Sequence, residues 1–418
     1  MRRVFATMVL AFWAVAMVTA AGRTEEETSS VNDTEIVYYT FSASPNHLEE
    51  LNEIVARFNE QENGVTVRVE AVGWDNYFTR LESQIAGGSP PDVFELNYEN
   101  FVNYASKDVL LSLDSYLVAD GTFDRNAYYE RAIDAFEYEG TQYGLPATFS
   151  TSVLFYNKDL FDAAGLDYPD DSWTWEDALA AAQELTDREN DVWGLYSPVQ
   201  FWEFYKKAEQ NGGGLMGANG VTIDHARNVE ALEFMVSLID EYQVMPREQD
   251  LAGVPNEQAF LDGEIAMLVS GIWMFETFRD ADFAWDIAVE PGMRRKATHY
   301  FADGLAVSSE TDHPEAAWKW VNYFTSSPEM VRTRMESNWG LPVVQDLDLV
   351  EAYLEQTPPD NRQAVYDSLE YAIVPPVIER QNQMQDIIGQ AIENVLLGNS
   401  GAASALADAD RQVRSLIE

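Results

Sequence analysis

The chain has 418 residues, 46% hydrophobic and 12% aromatic, with 71 acidic side chains against 26 Lys and Arg, a formal net charge of −45. At roughly 100–200 residues per domain this length suits two packed cores, and the apolar content excludes a disordered chain. An acidic excess this large repels DNA, RNA and anionic headgroups; scattered along the chain, it reads as a self-repelling surface suited to a salt-rich habitat.

Arg2-Arg3, the apolar stretch Val4 to Val18 and the small residues Thr19 to Gly22 have the layout of a cleaved secretory signal over 1–21, too short to span a membrane. Residues 22–34, polar and acidic, are expected to form a flexible leader. With no cysteine in the sequence, disulfides and the acylated thiol of a bacterial lipoprotein are not expected, so an exported periplasmic protein is. No later stretch reaches the roughly 18 apolar residues of a spanning helix.

From Glu35 the pattern is α/β. Ile36 to Thr40 reads as a buried strand; Ser44-Pro45 opens a helix with Leu48, Leu51, Val55 and Phe58 on one face, ended by Gly64. Val65, Val67 and Val69 alternate as a second strand. A helix follows with Tyr77, Leu81 and Ile85, then the break Gly87-Gly-Ser-Pro-Pro91 and a short strand Val93–Leu96. This β-α-β-α-β run predicts a mainly parallel sheet flanked by helices, with ligands at the carboxyl ends of its strands.

A second run begins near Val153–Tyr156. Thr174 with Asp177 is a capping-box start for a helix through Leu185, and Asp224 is expected to open another carrying Val229, Leu232, Val236 and Ile239. Ile265–Val269 reads as a buried strand after the turn Asp262-Gly263. Gly271 is expected to turn the backbone sharply there, so that Trp273 projects from the strand end, where a cleft lies. From Pro375 onward the pattern is helical, interrupted at Gly398-Asn399.

Five passages carry a family resemblance. They are Tyr77–Leu81 with Ala86–Val93; Tyr143–Pro146 with Leu154–Phe161 and Ala164–Leu166; Trp173–Asp177; Ala259–Met267 with Gly271–Trp273; and Gly304–Ser308 with His313–Trp318 and Gly340–Pro342. In this order they resemble the extracellular solute-binding proteins that serve ATP-driven sugar importers, the relatives of maltose-binding protein. The resemblance implies a two-lobe periplasmic-binding fold of class II type, each lobe a mainly parallel sheet flanked by helices, with three crossings. These fall near Phe149–Ser152, Glu290–Tyr300 and Pro342–Val350, giving one lobe of 35–149 plus 300–342 and another of 153–290 plus 350–418. It also implies a carbohydrate ligand, an importer permease as partner, no cofactor and a monomer.

Candidate ligand residues sit at strand ends and lobe edges: Trp273, which the resemblance marks as a sugar-stacking aromatic, with Trp74, Trp339 and Trp202 as further aromatics. Asp75, Glu95, Tyr98, Glu99, Asp303, Phe41 and Ser42 are candidate polar or edge partners, although Asp75 and Asn76 also suit a helix cap. Trp318 and Trp320, with Val321 and Phe324, suit a helix core. The four histidines stand apart with no metal-ligand spacing, Gly212–Gly214 lacks the Lys-Ser/Thr of a phosphate loop, and no Gly-x-Ser-x-Gly elbow occurs. With so many acids, a glycosidase carboxylate pair stays open from sequence, as does a binding protein for another solute or a sensor partner. The tandem tyrosines Tyr38-Tyr39 and Tyr128-Tyr129 also suit an iron-binding relative, but strand packing explains them more simply.

Overall fold

The computed structural model describes residues 34–61, 64–121, 123–218, 220–338 and 340–417. The expected signal and nearly all of the expected leader lie outside the described residues, as does Trp339.

The first run folds as its periodicity predicts. Strand β1 (Thr34–Thr40) leads to helix α1 (Pro45–Gln61), which has proline in its first turn and buries Leu51, Val55 and Phe58. Gly64, at φ +95°, turns the chain into β2 (Val65–Ala71). Helix α2 (Trp74–Ala86) buries Tyr77 and Leu81, and β3 (Val93–Asn97) is buried along its length. β1 pairs in parallel with both β2 and β3, so this part is the expected parallel sheet. Helix α3 (Tyr98–Ala105) follows at once.

Beyond it the strands that join the two halves run antiparallel. The segment expected to begin near Val153 is the second half of a 14-residue strand, β4 (Gly144–Asn157), buried throughout. Pro146 sits opposite Gly304 at a register shift, where the ladder is already interrupted and a missing N–H costs least.

Helix α4 (Trp175–Leu185) carries the expected capping box between Thr174 and Asp177. Helices α5 (Phe201–Gln210) and α6 (Ala226–Asp240) follow. Asp224 does not cap α6: the cap is His225, whose Nδ1 accepts from the N–H of Arg227 at 3.3 Å. The strand expected over Ile265–Val269 is displaced to β5 (Met267–Gly271), with Ile265 making an isolated parallel bridge to Trp193.

Strand β6 (Trp285–Ala288) precedes β7 (Thr298–Val307). The first half of β4 pairs with β7 and its second half with β5 and β6, all antiparallel; β7 also pairs with β3. The sheet therefore runs β6-β4-β7-β3-β1-β2, with β5 also on β4. β4 is the continuous member that pairs with strands of both halves.

Helices α7 (Pro314–Ser326) and α8 (Pro328–Glu336) cover the first half, with Trp320 fully buried between Tyr38 and Phe58. The last helices, α9 (Gln381–Leu396) and α10 (Ala402–Ile417), pack with α5 and α6 into a second apolar core built from Phe204, Tyr205, Leu232, Ile388, Leu406 and Val413. No described helix is long and apolar enough to cross a membrane.

Candidate ligand-binding site

One edge of the sheet gathers most of the candidate residues. β3 ends at Asn97, opposite Asp303 on β7, and β1 runs beside β3 with Tyr39 opposite Phe94. Phe41 and Ser42 therefore leave β1 at about the level where Tyr98 leaves β3. Because side chains alternate along a strand, His299, Phe301 and Asp303 share one face of β7 at that edge.

The first aromatic cluster is Phe41, Trp74 and Phe78. Phe41 meets Trp74 edge to face at 5.1 Å between centroids, and Trp74 meets Phe78 the same way at 5.3 Å. Trp74 is 44% exposed and stands at the start of α2. That start has Gly73 as its cap and no side-chain cap bond, so Asp75 does not cap α2 and stands exposed in its first turn.

The second cluster forms around Phe301. Trp273 meets it edge to face at 5.1 Å, Trp202 of α5 lies at 6.4 Å, and the His299 ring lies 3.6 Å away. Trp273 lies in a single turn after β5 and is half-buried. Gly271 has an ordinary extended backbone, φ −89°, so the expected sharp turn is not its reason for being glycine. A Cβ there would fall 1.9–2.2 Å from the Trp273 ring: the indole lies directly against the Gly271 backbone, and only hydrogen fits beneath it.

Three candidate acids lie between the clusters, in different states. Glu95 is buried; it accepts from the hydroxyl of Thr40 and, at 3.4 Å, from that of Ser42. Burial pushes its pKa up to about 7, although those hydroxyls, the backbone at Phe41 and the charge of Arg334 pull it down. Glu99 is fully buried and engaged on both oxygens, one by Asn97 and the other, at 2.8 Å, by Nε2 of His299. Both of its oxygens are thus held by protein groups. His299 is in turn bonded to the hydroxyl of Tyr205, so a buried chain links α3, β7 and α5.

Asp303 keeps part of its surface open. Its carboxyl lies deep enough that burial, and then the nearby Glu95 and Glu99, raise its pKa well above the usual carboxylate range. The register shifts after Asp303, and Gly304 packs there against Leu145 and Phe136, where a Cβ would come within 2.7 Å of both. Tyr98 is half-buried at the first turn of α3.

Trp339 lies outside the described residues; Leu341 donates to the carbonyl of Phe149 on β4 at 2.9 Å. The sequence reading missed Phe301, His299 and Tyr205. The alternation His299-x-Phe301-x-Asp303 was the available signal for the first two; nothing local marks Tyr205. Among the described residues no group of three or more His, Asp or Glu side chains could hold a metal ion.

A sheet whose central strands serve both halves, with aromatic rings and shielded carboxyls at its edge, defines a two-lobe α/β binding protein. The chain belongs to the bacterial extracellular solute-binding protein family, whose model matches residues 44–331. It is similar to an ABC substrate-binding protein from Listeria monocytogenes solved in complex with cycloalternan: 44% identity, TM-score 0.89, covering 92% of this chain and 99% of that one. It shares 24% identity with the arabinooligosaccharide-binding protein of Halalkalibacterium halodurans, over 89% of this chain and 81% of that protein. The GacH receptor of Streptomyces glaucescens, solved unliganded and with acarbose, has the same fold: TM-score 0.78, 23% identity, covering 92% of this chain and 98% of that one.

Proposed function

We propose that this chain captures a sugar or short oligosaccharide between its lobes and delivers it to the permease of an ABC importer, working outside the cytoplasmic membrane as a monomer and without catalysis. The lobes are 35–149 plus 300–342 and 153–290 plus 350–418. The observation that carries this reading is the Trp273 indole held against Gly271 and Phe301, with the partly open Asp303 two positions further along β7. A flat apolar ring next to a hydroxyl-binding carboxyl is what a pyranose requires. The sugar complexes of similar proteins support it. Trp273, Trp202, Asp303, Phe41, Ser42, Tyr98 and Trp74 are the proposed lining, with Trp339 and Asp75 as further proposed contacts and Glu95 behind.

A thermal-shift panel of saccharides, polyamines, amino acids and ferric ion tests the reading. A rise in melting temperature with saccharide alone is expected; a rise only with another solute, or new reducing ends after incubation with oligosaccharide, contradicts it.

A further inference from the structure

A buried chain of hydrogen bonds joins the two proposed lobes behind the Phe301 cluster. Glu99 lies in the first turn of α3 in the first lobe, Tyr205 in α5 of the second, and His299 between them, where the crossing over 290–300 enters β7. None of the three is more than 1% exposed, so water does not reach their bonds. Nε2 of His299 donates to Oε1 of Glu99 at 2.8 Å. In the neutral ring Nδ1 then carries no hydrogen and accepts from the hydroxyl of Tyr205. Burial favours that neutral ring, lowering the pKa of His299 against the pull of Glu99.

His299 is held mainly from the side of the second lobe. Its backbone pairs in parallel with Ile373, its ring is bonded by Tyr205, and Trp202 of α5 meets that ring edge to face at 5.1 Å. Glu99 is held from the first lobe, by Asn97 at the end of β3. The Glu99–His299 bond therefore spans the lobes. Close by, Arg131 of the first lobe donates to the carbonyl of Ala372 at 3.0 Å, which marks the same seam. The other face of the His299 ring lies 3.6 Å from Phe301, against which Trp273 stands, so the spanning bond sits one ring behind the proposed stacking surface.

We infer that Glu99 and His299 form a latch between the lobes, with Tyr205 as the residue that positions it by fixing the Nε2–H toward Glu99. The inference rests on the two-lobe capture proposed above. A bond made only when the lobes are together adds to the affinity for whatever they enclose, whichever saccharide that is. A residue touching the ligand would instead discriminate between saccharides.

Calorimetry and stopped-flow release with cycloalternan, maltotriose and arabinotriose test this. Glu99→Leu should weaken each saccharide that the parent binds by the same factor, roughly tenfold, about the worth of one buried hydrogen bond to a carboxyl, and chiefly by faster release. Glu99→Gln, which keeps an acceptor for Nε2–H, should restore most of that loss. Tyr205→Phe, which keeps the ring in its core, should weaken binding severalfold and add nothing in the Glu99→Leu background, because it acts through the same bond. Should Glu99→Leu fail to fold, Tyr205→Phe decides alone. Unchanged affinity in the Leu or Phe variant, a loss confined to one saccharide, additive losses, or a Gln variant as weak as the Leu variant each overturns the latch and leaves capture standing. A parent that binds none of the three saccharides overturns both.

Discussion

Trp273 and Gly271 work as a pair, because the indole occupies the space a side chain at 271 would take. Trp273→Ala should cost on the order of 2–4 kcal/mol of binding, as for an aromatic hot spot; that is roughly 30-fold to 1000-fold in affinity. Gly271→Ala should produce a comparable loss by displacing the ring, with an overpacking cost of about 1–3 kcal/mol in stability. Calorimetry beside a thermal melt separates the two effects, and a Gly271→Ala protein of unchanged affinity would contradict the pairing.

Glu95 gives a second test at this scale. Its pKa is held up to about 7, so between about pH 4.5 and 7 the folded chain keeps a proton that the unfolded chain has released. The unfolded state then binds fewer protons, and this carboxyl lowers stability progressively as pH rises through that window, with no further change above it. Glu95→Gln removes the effect, so its melting temperature relative to the parent should climb from pH 4.5 to 7 and then level; parallel profiles would count against a buried, perturbed carboxyl. That Glu95 and Glu99 sit at the carboxyl end of β3 was legible in the sequence. Their different roles were not, since Glu99 is turned inward by His299, some 200 positions away in sequence.

At the scale of elements, periodicity was enough wherever a helix or strand is amphipathic and its boundary is local. The α1, α2 and α4 segments and the capping box at Thr174 are such cases. It failed where tertiary pairing decides. Nothing local extends β4 back through Pro146, because what tolerates the proline is a register shift opposite Gly304 on a distant strand.

Long-range charge pairing was equally hidden. Lys206 of α5 lies 2.9 Å from Glu203 and 2.5 Å from Glu290, with Lys207 at 3.4 Å from Glu203, all buried. Burial by itself would lower the pKa of Lys206, but the two carboxylates hold it above its ordinary value, so it stays charged. Glu290 also accepts from Thr298, tying α5 to the segment that re-enters β7. Lys206→Met should destabilise the chain by about 3–5 kcal/mol, the cost of leaving buried carboxylates short of a cation. A denaturant midpoint within error of the parent would contradict that role.

Over the whole molecule, the acidic excess that excluded nucleic acid from the outset also makes stability depend on salt. With a formal charge of −45, self-repulsion is weakened as the screening length shrinks from about 10 Å at 0.1 M to about 3 Å at 1 M. The melting temperature should rise over that range, and a flat profile would reject adaptation to salt. The two-lobe fold was legible only through motifs in register, because the proposed crossings, one of them within β4, have no local sign in the sequence.

Those crossings make the central claim measurable. A saccharide that contacts both lobes favours the arrangement in which they approach, by its difference in affinity for the two states. Small-angle scattering with and without oligosaccharide, at saturation established by calorimetry, tests this most directly. The radius of gyration should fall on binding; an unchanged radius at full occupancy would contradict capture between closing lobes.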